Sequence, residues 1–172
     1  DDHFMRTTLV VRGEEWLSSL PIHIELFNVL GFEQPRYGHN CAIQKIDGDT
    51  RRKLSKRKDP EASLTFYREQ GYHPDAVRTY MMTLLNSNFE EWWIDHKMDA
   101  LDDFSLSFGK MSLDGALFDL EKVNFFAKEF FATLKAETIA QRVVDYLKKE
   151  ENNSDKINLI NQDWQKFVKI MN

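Results

Sequence analysis

The sequence predicts a predominantly α-helical protein that begins with a small α/β part. Residues 7–11, TTLVV, form a β-branched and apolar run that is typical of a buried parallel strand. From residue 59 onward, apolar side chains recur at intervals of three and four, which is the spacing of amphipathic helices. Hydrophobic residues make up 42% and charged residues 30% of the 172 residues, so the chain can build one or two small globular modules.

A helix is predicted directly after this first strand. Glu15 and Trp16 stand at its start, and Gly31 fits the position just beyond its end, where a positive φ is favourable. The apolar positions between them lie near helical spacing: Leu17, Leu20, Ile24, Phe27 and Leu30. A short apolar stretch at residues 41–43 comes next, and the dipeptide Asp47-Gly48 then predicts a tight turn.

A basic cluster follows this turn. Six of the eight residues 51–58 are Lys or Arg, although the formal net charge of the chain is −5. A local cluster of positive charge in an acidic protein favours an anionic partner, and a basic loop that follows a turn can close over phosphates. A solvated basic loop without a specific ligand is the alternative.

The remainder of the chain predicts helices. Asp59 can cap a helix that has Pro60 at its first position and stops at Gly71, and Pro74 opens the next helix. Residues 99–115 are rich in turn formers. Apolar stripes mark the helical faces: Val77, Tyr80, Met81, Leu84 and Leu85; Leu120, Val123, Ala127, Phe130 and Leu134; Ile139, Val143, Tyr146 and Leu147; and Ile157, Ile160, Trp164, Val168 and Met171.

The basic cluster also contains a motif. Residues 53–57, KLSKR, resemble the KMSKS signature of class I aminoacyl-tRNA synthetases, in the KxSKR form typical of bacterial-type glutamyl-tRNA synthetases. Residues 1–39 resemble the second half of the Rossmann-type catalytic domain of that family. Residues 63–85, SLTFYREQGYHPDAVRTYMMTLL, and residues 116–126, ALFDLEKVNFF, resemble its stem-contact region. The resemblance covers roughly residues 1–135, and its motifs follow the order of the family.

The resemblance implies three domains along the chain. Residues 1–58 are expected to form part of a Rossmann-like catalytic domain with a KMSKS-type loop. Residues 59–135 are expected to form a helical stem-contact domain, and residues 136–172 the start of a helical anticodon-binding region. Two departures from the family pattern stand out: residues 44–52 are about three residues longer, and the motif of the type His-Ile-Gly-His is absent. We therefore expect a carboxyl-side fragment of a synthetase that is inactive without an amino-terminal half.

The resemblance also implies roles for individual residues. Amino-acid activation joins a carboxylate that is already ionised to the α-phosphate of ATP, so catalysis consists mainly of positioning and charge stabilisation. Lys53 and Lys56 are the expected catalytic residues, and Lys56 is the stronger candidate for stabilising charge on the leaving phosphates. ATP is expected to contact six residues: Glu15, Ile43, Lys53, Ser55, Lys56 and Arg57.

Arg12 is the expected glutamate-binding residue. It stands at the end of the predicted strand, where open α/β sheets bind ligands, and a guanidinium can hold a carboxylate through two parallel hydrogen bonds. The alternative is a structural ion pair of Arg12 with Asp1, Glu14 or Glu15. Likewise, an acidic residue such as Glu15 is favoured at any helix start by the helix dipole.

The implied partners are ATP, L-glutamate, tRNA(Glu) and the missing amino-terminal half. Mg²⁺ is expected to accompany ATP. No structural metal is expected, because the five histidines are scattered and Cys41 is the only cysteine. No apolar run reaches the length of a membrane span and no signal-peptide pattern is present, so we expect a cytoplasmic protein.

Two other functions stay open at this point. One is a noncatalytic module that binds tRNA or another RNA and derives from a synthetase. The other is a related enzyme, either a glutaminyl-tRNA synthetase or a tRNA-modifying paralogue. The helices predicted after Leu134 count against the modifying paralogue, which lacks the helical anticodon region.

Overall fold

The computed structural model describes residues 1–97, 99–149 and 152–171. The described residues are mainly helical with a few short strands, which confirms the predicted fold class. They group into two compact units: residues 1–62 together with 81–119, and residues 63–80 together with 120–172. This grouping reflects contacts within the chain. The assignment of residues 1–58, 59–135 and 136–172 to domains of a synthetase stays a prediction.

The first unit contains a parallel pair of strands joined by a helix. Strand β1 (Leu9–Gly13) pairs with β2 (Arg36–Asn40), and helix α1 (Leu20–Leu30) connects them after a 3₁₀ helix at Glu14–Ser19. Gly31 ends α1 as predicted, because its φ of +65° lets its N–H donate to the last carbonyls of the helix. The predicted parallel strand is confirmed, but it is only half-buried because it belongs to a two-stranded sheet.

A hairpin follows in the same unit. Strand β3 (Gln44–Asp47) pairs antiparallel with β4 (Thr50–Lys53), and Gly48 adopts a φ of +60° in the turn between them, as predicted. The basic loop is shorter than predicted, because Arg51, Arg52 and Lys53 form strand hydrogen bonds with β3. Only residues 54–58 make up the loop itself.

A distant segment supports the start of this hairpin. The N–H of Gln44 donates to the carbonyl of Ala116 over 2.9 Å, and the N–H of Phe118 donates to the carbonyl of Gln44 over 2.7 Å. Gly115 has a φ of +80°, and a side chain there would collide with the carbonyl of Ala42. The residues before the loop are therefore fixed on both sides.

Seven further helices occur among the described residues. Pro74 opens the second of these as predicted, whereas the predicted cap at Asp59 is wrong: Pro60–Ala62 is a single 3₁₀ turn, and the Ser63 side chain caps the helix by accepting from the N–H of Thr65. The helices are α2 (Leu64–Glu69), α3 (Pro74–Leu85), α4 (Phe89–Asp95), α5 (Leu120–Ala132), α6 (Ala136–Leu147), α7 (Ser154–Gln162) and α8 (Trp164–Ile170).

The core of the second unit differs from prediction on α6. Ala136 and Ala140 of α6 are buried and pack in one cluster with Val168 of α8, while the predicted stripe on α6 is only half-buried. Small side chains allow a close approach of two helices, so alanines occupy the contact. On α5, the predicted core residue Val123 is fully buried, and Phe126 is buried beside Tyr80.

Helix α1 presents much of its apolar surface to solvent. Ile22, Leu26 and Val29 are 70%, 56% and 73% exposed, and no residue of the helix is buried. Within the described ranges, no helix combines the length and the apolar composition needed to cross a membrane.

Two adjacent phenylalanines of α5 test the core. Phe126 is fully buried, whereas Phe125 is 48% exposed. Phe126→Ala should lower the free energy of unfolding by about 3–5 kcal/mol, because it removes a large apolar side chain and leaves a cavity. The matched variant Phe125→Ala should cost much less. Urea unfolding followed by circular dichroism measures both, and equal losses would contradict the position of Phe126 in the core.

Candidate functional site

The fold brings together two of the predicted ATP-binding residues, Glu15 and Lys53. Glu15 lies in the 3₁₀ helix after β1, and Lys53 ends β4. The Lys53 Nζ donates to Oε1 of Glu15 over 3.0 Å. The pKa of Glu15 is lowered, first because its carboxylate accepts a backbone N–H and second because of Lys53. The contact joins the end of the first strand to the start of the basic loop.

Gly13 makes room for this arrangement. A Cβ at Gly13 would come within 2.2 Å of the Glu15 carboxylate in its present position, so a larger residue there would make that carboxylate shift. Glu14 uses its own carboxylate differently and accepts the N–H of Ala42 over 3.2 Å. The 3₁₀ helix after β1 is thereby tied both to β4 and to the residues just before β3.

Ile43 lies between these contacts. Its carbonyl accepts the N–H of Leu54 over 2.8 Å, which places the backbone of Ile43 beside the first residue of the basic loop. Ile43 is half-buried and stands just before β3. It also lines a cavity of about 210 Å³ with Asn40, Cys41, Met81, Leu84, Leu85, Met111, Ser112 and Ala116.

The basic loop closes on itself. The N–H of Ser55 donates to Oδ2 of Asp59 over 2.9 Å, and the N–H of Asp59 donates back to the carbonyl of Ser55 over 2.8 Å. Lys56 and Arg57 stand at the exposed tip between them. Within the described part of the chain, the side chains of Lys56 and Arg57 form no hydrogen bond or ion pair. The tip therefore presents two uncompensated cations to solvent.

Asp59 is a central residue of the site that the sequence reasoning missed. Its side chain is only 2% exposed and accepts two hydrogen bonds from the guanidinium of Arg52, over 2.7 and 2.8 Å. Arg52, followed by the N–H of Ser55, holds the pKa of Asp59 far below its ordinary value. Asp59 and Asp47 in turn raise the pKa of Arg52. No local sequence signal marks this pair, because the partners stand seven residues apart in a strand and a turn.

Arg12 occupies a separate cluster of rings. Its Nε donates to Nε2 of His39 over 3.1 Å, and its Nη1 lies 3.2 Å from Nδ1 of His23. Its Nη2 contacts the carbonyl of Trp16 over 3.3 Å. The guanidinium also lies over the ring of Tyr37, 5.1 Å from the ring centre. Arg12 lies within β1 rather than beyond its end.

The partners of Arg12 bear on the two interpretations of this residue. Among the described residues, no carboxylate contacts Arg12, so the structural ion pair with Asp1, Glu14 or Glu15 is wrong. A guanidinium only donates hydrogen bonds, so each histidine nitrogen that faces it must accept. Neutral rings orient the guanidinium without cancelling its charge, which suits it to an anionic ligand.

Metal ligation is not apparent at these positions. The part of the chain that the structure describes contains no group of three or more His, Cys, Asp or Glu side chains placed to hold a metal ion.

The contact between Lys53 and Glu15 predicts a titration effect. Lys53→Met should raise the pKa of Glu15, because it removes the ammonium that favours the charged carboxylate. The rise should be partial, since the backbone N–H still donates. Carboxyl ¹³C NMR titration measures this pKa. The control variant Lys58→Met changes another loop lysine and should leave the pKa of Glu15 unchanged. An unchanged pKa of Glu15 in Lys53→Met would contradict the contact.

The buried carboxylate of Asp59 predicts a dependence of stability on acid. Because its pKa is lower in the folded state than in the unfolded state, its stabilisation is complete above about pH 4 and is lost as the pH falls toward the folded value. Asp59→Asn should lower the Tm by several degrees at neutral pH and weaken the loss of stability in acid. Thermal unfolding from about pH 3 to about pH 7 tests this. The control variant Asp49→Asn, at the exposed hairpin turn, should have the same Tm as the unchanged chain at each pH.

Comparisons with known proteins identify the family of this chain. Residues 1–104 match the family described as tRNA synthetases class I (E and Q), catalytic domain. The chain is 50% identical to a glutamate–tRNA ligase of Acetivibrio thermocellus over 171 residues, which cover 99% of this chain and 31% of that protein. It is 44% identical to the corresponding enzyme of Clostridium beijerinckii over 168 residues, 98% of this chain and 30% of that protein.

Two solved structures of glutamate–tRNA ligases share the fold of this chain. A glutamate tRNA ligase from Elizabethkingia meningosepticum, in complex with its amino acid, superposes with a TM-score of 0.68 at 27% identity and covers 94% of this chain and 35% of that one. The glutamate-tRNA synthetase of Elizabethkingia anophelis shares the fold, with a TM-score of 0.66 at 24% identity. The chain thus spans about a third of the length of these relatives. Because the family match covers more than half of its residues, the chain belongs to the class I tRNA synthetases of the glutamate and glutamine type.

Proposed function

We propose that this chain supplies the carboxyl-side part of the active site and the tRNA stem-contact region of a glutamate–tRNA ligase. Such an enzyme activates glutamate with ATP and transfers it to tRNA(Glu) in the cytoplasm. The observation that carries the proposal is the closed loop with Lys56 at its exposed tip, joined through Lys53 to Glu15 at the end of β1. The relatives at 50% and 44% identity are named as glutamate–tRNA ligases, which supports the same activity.

The proposed chemistry needs cations more than a base. An oxygen of the glutamate carboxylate attacks the α-phosphorus of ATP, and the bond from that phosphorus to the bridging oxygen breaks to release pyrophosphate. No proton is transferred, because the attacking carboxylate is already ionised. Negative charge accumulates on the phosphates, and the ammonium groups of Lys53 and Lys56 would stabilise it.

Lys53 and Lys56 differ in the contacts that their ammonium groups make before any substrate binds. Lys53 is held by Glu15, so a phosphate oxygen would have to compete with a carboxylate for its ammonium. Lys56 has no such partner within the described residues and can approach the leaving phosphates directly. This difference supports Lys56 as the main source of charge stabilisation and Lys53 as a residue that holds ATP beside Glu15.

The other proposed contacts surround the same loop. Ile43 would face ATP through its backbone, while Ser55 and Arg57 would contact it from the loop. Arg12 would bind the glutamate substrate, and the neutral rings of His23 and His39 would orient its guanidinium. Mg²⁺ would be carried by the ATP phosphates, because the chain offers no cluster of ligands for it among the described residues.

The exposed face of α1 fits the proposed amino-terminal half of the enzyme. Ile22, Leu26 and Val29 stand at spacings of four and three, so their exposed side chains share one side of the helix. The relatives carry about two thirds of their length outside the matched region. A partner that covers this apolar face would complete the half-buried sheet beside it.

Reconstitution tests the proposed function. The chain is mixed with the separately expressed amino-terminal part of the Acetivibrio thermocellus relative, and glutamate charging of tRNA(Glu) is measured. Charging is expected in the mixture and not with either part alone. Lys56→Ala should reduce it about 100-fold or more, because an ammonium that stabilises the transition state is lost. Lys156→Ala, an exposed lysine of α7, is the matched control and should charge normally.

The same experiment distinguishes the catalytic proposal from a noncatalytic RNA-binding module. If the two parts associate in gel filtration and still charge no tRNA, the catalytic proposal is contradicted. Salt-sensitive binding of tRNA by the chain alone would then favour a noncatalytic RNA-binding module.

A further inference from the structure

The loop that carries Lys56 is closed by the Asp59 side chain and by two backbone hydrogen bonds. Asp59 accepts the N–H of Ser55 through its carboxylate and donates its own N–H to the carbonyl of Ser55. The N–H of Lys58 donates to the same carbonyl over 3.0 Å. These contacts connect the first and last residues of a five-residue ring, and Lys56 and Arg57 occupy its exposed side.

The carboxylate of Asp59 also fixes this ring to the hairpin. Arg52 of β4 donates two hydrogen bonds to it, and Nζ of Lys45 of β3 lies 3.6 Å from its Oδ1. A two-pronged contact of this kind fixes direction as well as distance. The Lys53 end of the loop is fixed independently by its strand partner Gln44.

The hairpin itself depends on this carboxylate. Lys45 and Arg52 are directly opposite each other in the antiparallel ladder, where two like charges repel. Asp59 lies within reach of both cations, and Glu61, which is 8% exposed, forms a second ion pair with Lys45. Two buried carboxylates therefore compensate two cations that would otherwise separate the strands.

We infer that Asp59 is the positioning residue of the basic loop, and that it sets the place of the Lys56 backbone through Ser55 and Arg52. Its effect on catalysis rests on the proposed function. Its buried carboxylate is occupied by Arg52 and by the N–H of Ser55, so the role inferred for it is positioning and not contact with a substrate. It acts by keeping the loop closed and docked on the hairpin, so that Lys56 is already placed when the phosphates arrive. Preorganisation of this kind is lost when a supporting residue lets the reacting group move by about 1 Å.

Limited digestion with trypsin tests the closed loop without any need for activity. Trypsin cleaves after Lys and Arg in segments that open locally. Asp59→Asn should speed cleavage after Lys56 and Arg57 by about tenfold or more relative to cleavage in α7, read by mass spectrometry. Asp49→Asn is the matched control: it removes one carboxylate from the exposed turn of the same hairpin and should leave the loop rate unchanged.

A second variant covers the case in which Asp59→Asn does not fold. Arg52→Lys keeps the positive charge and the tryptic site, but an ammonium cannot make the two-pronged contact. It should also speed cleavage of the loop while the circular dichroism spectrum stays the same. Loop cleavage at the unchanged rate in a folded Asp59→Asn or Arg52→Lys variant would overturn the inference.

The kinetic consequence is measured by pyrophosphate exchange in the reconstituted mixture with tRNA(Glu) present. Asp59→Asn should lower kcat by about 10-fold to 100-fold and leave KM for glutamate nearly unchanged, because Arg12 lies in a separate cluster. Partial unfolding would also lower the apparent kcat at an unchanged KM, so kcat is calculated per folded molecule from the circular dichroism amplitude. A kcat per folded molecule equal to that of the unchanged chain, or a raised KM for glutamate, counts against positioning. If the unchanged mixture shows no exchange, the proposed function fails, while the tryptic rates still decide whether Asp59 closes the loop.

Discussion

The contact between the buried carboxylate of Asp59 and the guanidinium of Arg52 is the constraint on which the arrangement of the basic loop depends. A desolvated carboxylate is stable only when it is paired and hydrogen-bonded, and Asp59 obtains this from Arg52, Lys45 and a backbone N–H. Each of these donors belongs to a different strand or turn. One side chain thereby holds β3, β4 and the loop in a single geometry, with Lys56 on the outside.

The second constraint lies at the end of β1, where Arg12, Gly13 and Glu15 have different physical roles. The Arg12 guanidinium donates to ring nitrogens and to a backbone carbonyl, and no carboxylate of the described chain compensates its positive charge. Gly13 supplies space, and Glu15 uses that space to reach Lys53. The strand end and the basic loop are thus coupled through an exposed ion pair, whose contribution to stability is small.

The first unit leaves apolar surface uncovered. A two-stranded parallel sheet with one helix cannot bury both of its faces, and α1 has exposed apolar positions. The chain spans about a third of the length of its relatives. The buried cores of the second unit, by contrast, are closed by its own helices, as Ala140 and Val168 show.

The sequence by itself determined the features that depend on short-range backbone preferences. The helix end at Gly31, the turn at Gly48, the helix start at Pro74 and the parallel strand that contains Arg12 all follow from local sterics and patterning. The KLSKR motif led to the family. Only the tertiary structure decided that Arg52 belongs to a strand, that Asp59 is a buried partner rather than a helix cap, and that alanines form the contact of α6. These outcomes depend on which distant groups share a buried space, and no local pattern encodes the desolvation and pairing that select them.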